Sequence, residues 1–224
     1  MTKLLVNLFD QLSSLPRGTD EYGLEELVIN WLRGADVLSI REAIHQWLSE
    51  PASMDYLKIS ARETSTHYVW PLYIARNGYG LAINEFKDPR HMVIGHANTI
   101  HNHRYSFVSL MLSGGYRQIR SRVDLPELGG LAQIHDIGQD DLFQGSMLAI
   151  NHEEFHRLIN VRRRTMTLLV KCPPAKEASV SVDAKSLRAC RHVPVEARLV
   201  QLMNALVMTG DTAVAEGKSD ARLT

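Results

Sequence analysis

Two histidines, His101 and His103, stand one residue apart in a stretch (95–115) rich in Thr, Ile, Tyr, Phe and Val. Residues of that kind favour a strand. Strand side chains alternate between faces, so positions i and i+2 point the same way; a helix would set them about 200° apart. On a strand, His-x-His is a two-armed chelate, and neutral imidazole suits Fe, Ni, Cu and Zn. Such a pair requires a fold that gathers at least one more ligand. A second stretch (145–160) reads as apolar strand, polar turn and strand, and carries His156.

Together the two stretches resemble the paired motifs of the cupin superfamily. The first is G-x5-H-x-H, then three or four residues, E, six residues and G. Gly95, His101, His103 and Gly115 fit it, while Phe107 or Val108 stands at the glutamate position. The second is G-x5-P-x-G-x2-H-x3-N; Gly145, His156 and Asn160 fit, with Asn151 for the proline and Glu153 for the second glycine. The order and register of the pair, 29 residues apart (116–144), make the signal more specific than either half. The resemblance covers roughly residues 80 to 172. It implies a mainly β double-sheet jelly-roll barrel with a metal held inside by His101, His103 and His156.

Loss of the motif glutamate leaves three neutral imidazoles, as in the cysteine-dioxygenase-like branch. The resemblance then implies Fe(II), with open positions for substrate and O2, and Zn, Ni or Mn as alternatives. Tyr105 and Phe107 share the histidines' strand face and are expected to line the cavity. Tyr105 and Tyr116 are candidate catalytic groups, and Arg117 and Phe107 candidate substrate contacts, an arginine suiting a carboxylate. Arg104, one step out of phase, is expected to point away. His152, Glu153 and Glu154 could add a ligand but read better as a solvated turn. His67, His91, His96 and His135 have no partner at ligand spacing.

Around this core the pattern is helical at both ends. Leu4, Leu5, Leu8, Leu12 and Leu15 recur at helical spacing until Pro16-Arg17-Gly18. A second helix is predicted over 20–32. A third is predicted from a capping box at Ser39, closed by Pro51. These helices are expected to pack on the barrel, giving a helical segment (1–52), a barrel (53–175), a C-terminal segment (176–209) with a helix over 195–208, and a disordered tail (210–224). Strands are predicted over 66–75, 79–86, 116–123 and 165–171; residues 133–143 lead into the second motif, and residues 175–194 give no clear pattern. Arg162-Arg163-Arg164 reads as a hairpin tip.

Charge is balanced, 25 basic against 25 acidic residues, which argues against a nucleic-acid surface. Cys172 and Cys190 form no C-x-x-C pair. No apolar run reaches the ~20 residues of a membrane span, and a cytoplasmic protein, with homodimer formation a mild expectation, is the reading. The function expected is a metal-dependent oxygenase of a small polar molecule such as an amino acid or thiol. Two other classes stay open: a non-redox cupin lyase, isomerase or epimerase using Tyr105, Tyr116 or a turn glutamate as base, and a ligand-binding or sensory barrel.

Overall fold

The computed structural model describes residues 3–88, 90, 99–126, 130–194, 199 and 203. The motif glycine Gly95, His91, His96, most of the helix predicted over 195–208 and the tail lie outside the described residues.

Four helices come first: α1 (Lys3–Ser14), α2 (Glu21–Leu32), α3 (Val37–Leu48) and α4 (Pro51–Ser60). Helix α1 buries Leu5, Leu8, Phe9 and Leu12, the i, i+3, i+4, i+7 stripe of one face. Asp20 caps α2 by accepting from Gly23 N at 3.0 Å. The third helix starts two residues before the predicted Ser39. Asp36 is its cap, accepting from Ser39 N at 2.7 Å, so Ser39 is the residue being capped. Pro51 opens α4 rather than merely ending α3. Proline is tolerated at a first helical position, where its missing N–H has no partner to lose. The helical segment therefore runs to Ser60, past the expected boundary at 52.

Twelve strands follow: β1 (Arg62–Glu63), β2 (His67–Ile74), β3 (Gly80–Phe86), β4 (Ile100–His101), β5 (Phe107–Ser113), β6 (Gly115–Asp124), β7 (Gln133–Phe143), β8 (Met147–Ile150), β9 (Phe155–Ile159), β10 (Met166–Lys171), β11 (Ser179–Val182) and β12 (Ala189–His192). They form two six-stranded sheets, ordered β1-β2-β3-β10-β5-β8 and β12-β11-β4-β9-β6-β7, with every pair antiparallel. Strand β10 returns to lie between β3 and β5, and β9 between β4 and β6. This double Greek-key order is the jelly-roll barrel that the paired motifs imply. The stretch 175–194, unassigned by pattern, is the hairpin β11–β12, turned at Asp183, whose Oδ1 accepts from Lys185 N (3.0 Å) and Ser186 N (2.7 Å).

The central strands of the first sheet, β3, β10 and β5, are buried on both faces. Leu81 and Ile83 of β3, Val108, Leu110 and Leu112 of β5, and Leu168 and Val170 of β10 pack with the helix stripes in one apolar core. The residues between them, Ala82, Asn84, Phe107, Ser109, Thr167, Leu169 and Lys171, face the barrel interior. Two side chains fasten the helices down. Asn77 Nδ2, in the β2–β3 turn, donates to the end carbonyls Leu12 O (2.9 Å) and Leu15 O (3.0 Å); buried Tyr79 donates to Pro16 O at 2.9 Å. Gly114 and Gly115, both at positive φ, turn β5 into β6. A Cβ on Gly114 would collide with Thr165, whose hydroxyl accepts from Gly115 N at 3.0 Å.

No helix among the described residues is long and apolar enough to cross a membrane.

Candidate metal centre

The His-x-His segment departs from its predicted geometry. Strand β4 ends at His101, and residues 102–106 follow an irregular path before β5. The pair still converges, with ring centroids 4.9 Å apart, because the intervening residue is pinned. Asn102 is buried; its N–H donates to Val180 O at 3.0 Å and its side-chain Oδ1 accepts from Val180 N at 2.8 Å. Asn102 thus continues by side chain the pairing that the strand abandons. From the other side, His101 stands directly opposite His156 in the β4–β9 register. The ligand atoms of His101, His103 and His156 all lie within 4.8 Å of one another.

Each buried imidazole is held by its far nitrogen. His101 Nδ1–H donates to Thr99 O (2.8 Å), and His156 Nδ1–H donates to Gln118 Oε1 (3.1 Å). Those tautomers turn both Nε2 lone pairs inward, the arrangement of metal-ligating histidines. His103 Nε2 lies 2.9 Å from His156 Nε2. Two nitrogens ~2.1 Å from one ion can stand no more than ~4.2 Å apart, so this pair could share a metal. Burial holds His101 down at about 4, more than offsetting the Thr99 hydrogen bond, so at neutral pH it has no proton for a metal to displace. The residues fit a divalent metal.

A cavity of about 600 Å³ opens beside the three rings. Phe107 meets the His103 ring edge-on at 4.9 Å, with Tyr105 at 5.9 Å. Tyr116, on β6, lines the cavity against Phe86 at 5.7 Å. Burial raises both phenols, Tyr116 to about 12 despite a hydrogen bond from Ser109 that lowers it. Each is therefore a hydrogen-bond donor at neutral pH and a poor base. His67, which has no role in the sequence reading of the site, also lines the cavity as a neutral imidazole. Its Nδ1 lies 2.9 Å from Thr66 Oγ1, and burial, then Arg62, His101 and Lys87, hold it down at about 4. In the sequence His67 has no partner at ligand spacing, so nothing there distinguishes it from a surface or hydrogen-bonded histidine.

Two expectations about arginines need correction. Arg117 does not reach the cavity. It forms a bidentate pair with Asp141, directly opposite on β7, at 2.8 Å for both bonds, and Arg120 pairs with Asp140 at 3.1 Å. The acidic run Asp140-Asp141 was the sequence signal that these arginines had partners. Arg104, expected to point away, lines the cavity with Arg62 and Lys171, because the alternation that placed it outside ends at His101. His152, Glu153 and Glu154 stay outside the histidine group: His152 Nδ1 lies 3.2 Å from Ser106 Oγ, Glu153 pairs with Lys176 (3.3 Å), and Glu154 faces Arg120 at 3.9 Å. Cys172 lines the cavity as a thiol, pushed up to about 12 by burial.

No protein-family model matches the chain, and no curated protein matches it. Among solved structures, similarity extends to an oxalate decarboxylase–formate complex from Lactobacillus farciminis (16% identity, TM-score 0.34, 52% of this chain and 31% of that one). It extends also to the DMSP lyase DddQ from Ruegeria pomeroyi DSS-3 (13%, 0.36, 57% and 58%) and to ectoine synthase from P. lautus (15%, 0.35, 60% and 83%). The match thus spans less than a third of the oxalate decarboxylase chain. Likeness of this degree says nothing of activity; the jelly roll is assigned from strand order and register.

Proposed function

We propose that this barrel is a metal-dependent oxygenase acting on a small polar molecule such as an amino acid or thiol. The observation that carries the reading is the three-histidine group at the cavity wall, with no aspartate or glutamate among its described lining residues. A redox-active divalent metal, Fe(II) by preference, would supply open coordination positions where substrate and O2 meet. The chain's own residues do the rest. Thr99 and Gln118 fix the tautomers of His101 and His156, Phe107 packs against the His103 and His156 rings, and Tyr105 and Tyr116 offer protons from raised phenols. His67 supports a second, non-redox reading as lyase or isomerase, since a neutral imidazole in the cavity can accept a substrate proton.

Metal analysis of the purified protein beside His156→Ala, followed by oxygen-electrode screening of amino acids and thiols, tests the proposal. About one equivalent of iron, lost in the variant, with substrate-dependent oxygen uptake, is expected. Zinc, nickel or manganese with turnover but no oxygen uptake would move the assignment to the non-redox reading. Retention of full metal by His156→Ala would refute the centre.

A further inference from the structure

The cavity's charges are of one sign. Arg62, Arg104 and Lys171 line it, and no carboxylate does among the described residues. Among those residues Arg62 and Lys171 make no ion pair, whereas nearby Lys87 is matched by Glu63 at 2.6 Å. Lys171 is placed by design of the sheet. It stands opposite Phe107 on β5 and Gly80 on β3, and its Nζ lies 5.4 Å from the centroid of the Tyr105 ring, itself 5.9 Å from the His103 ring. Gly80 makes the room: a Cβ there would come within 2.6 Å of Lys171 Cε. Burial, then the charges of Arg62 and Arg104, hold the lysine below its ordinary value, so the ammonium sits among like charges.

We infer that Arg62 and Lys171, with Arg104 beside them, form a subsite for the anionic group of a small organic acid whose other end faces the three histidines. The inference rests on reading the histidine cavity as a small-molecule site. A cavity of about 600 Å³ suits an occupant of that size, and a cleft walled by one sign of charge concentrates the opposite one. Arginine and lysine bind either a carboxylate or a phosphate, the first bidentately and the second as a point charge.

Calorimetric titration of succinate, its neutral diamide and glycerol 3-phosphate into the full chain tests this. The proteins are wild type, Arg62→Gln, Lys171→Gln, the double variant, and Gly80→Ala, which displaces the lysine without removing its charge. At least one anion should bind wild type, the diamide should not, and each lost charge should weaken binding roughly tenfold. Gly80→Ala should weaken it too, with melting temperature and metal content unchanged throughout. Preference for succinate or for glycerol 3-phosphate identifies the group. The subsite is overturned if neither anion binds, if the diamide binds equally, or if the double variant binds as wild type does. Metal analysis reads the histidine centre separately: absence of metal with charge-dependent succinate binding would fail that centre and leave the subsite standing.

Discussion

Replacing Gln118 by Met separates metal affinity from fold stability. Gln118 is fully buried, and its Oε1 accepts the His156 Nδ1–H at 3.1 Å, while its Nε2 finds no partner among the described residues. Methionine has nearly the same length and no amide. The substitution leaves the imidazole N–H unsatisfied, a loss of about 1–3 kcal/mol, but also removes a buried NH2 that is already unsatisfied, a gain of similar size. Net stability of the metal-free protein should therefore move by less than about 1 kcal/mol. Metal affinity should not be spared, because the ring loses the bond that fixes its tautomer and raises its basicity; removal of such partners lowers affinity about 10–100-fold. Zinc titration against a competing chelator gives the affinity, and thermal unfolding without metal gives the stability. Unchanged zinc affinity would refute the role assigned to Gln118. A fall in both quantities together would show that the glutamine holds the barrel rather than the ligand.

Three further outcomes are expected. Asn77→Asp replaces the amide that donates to Leu12 O and Leu15 O by an acceptor, and should cost on the order of 3 kcal/mol in denaturant unfolding with metal binding retained. His67 takes up its proton at about 4 when folded and near 6.5 when not, so the unfolded chain binds the extra proton between those values. Stability contributed by His67 is accordingly full above pH 6.5 and lost as pH falls toward 4, and His67→Gln should flatten that part of the stability–pH curve. Arg117→Ala removes an ion pair whose Asp141 is 62% exposed; it should change stability by less than about 1 kcal/mol and leave metal content and ligand binding intact.

What was legible in the sequence follows from how local each signal is. Leu5, Leu8 and Leu12 declare a helix by spacing alone, and His101, His103 and His156 declare a centre because two short motifs fix their register. Arg117 was misplaced because alternation names a face but not the partner across the sheet, and that partner, Asp141, lies 24 positions away. Arg104 was misplaced for the opposite reason. Alternation was carried past His101, where the chain leaves β4 and Asn102 takes over the pairing through its side chain. Lys171 could be put on a strand but not in the cavity: alternation gives it a face, whereas the room for its side chain comes from Gly80, far upstream. The hairpin β11–β12 escaped notice because its strands are only four residues long, though Ser179-Val180-Ser181-Val182 alternates and Asp183 marks the turn.

The two sheets divide the labour, and the division explains why the helices are there. All three histidines belong to the second sheet or the segment leaving it: His101 on β4, His156 on β9, and His103 just beyond β4, with the supporting Gln118 on β6. The cavity's lysine and Arg62 come from the first sheet, on β10 and β1. That first sheet carries apolar residues on its outer face, Val108, Leu110, Leu168 and Val170, which would meet water without α1–α3. The helices also reach toward the histidine side. Buried Glu21, at the start of α2, accepts from Asn151 Nδ2 at 2.7 Å, and Asn151 opens the turn that leads into β9 and His156. Asn151 stands where the motif has proline. A rigid turn residue is replaced by one that hydrogen-bonds twice over: Asn151 Oδ1 accepts from Glu153 N at 2.9 Å within the turn, and its Nδ2 ties that turn to the helix, so the turn that aims His156 is held both locally and by α2.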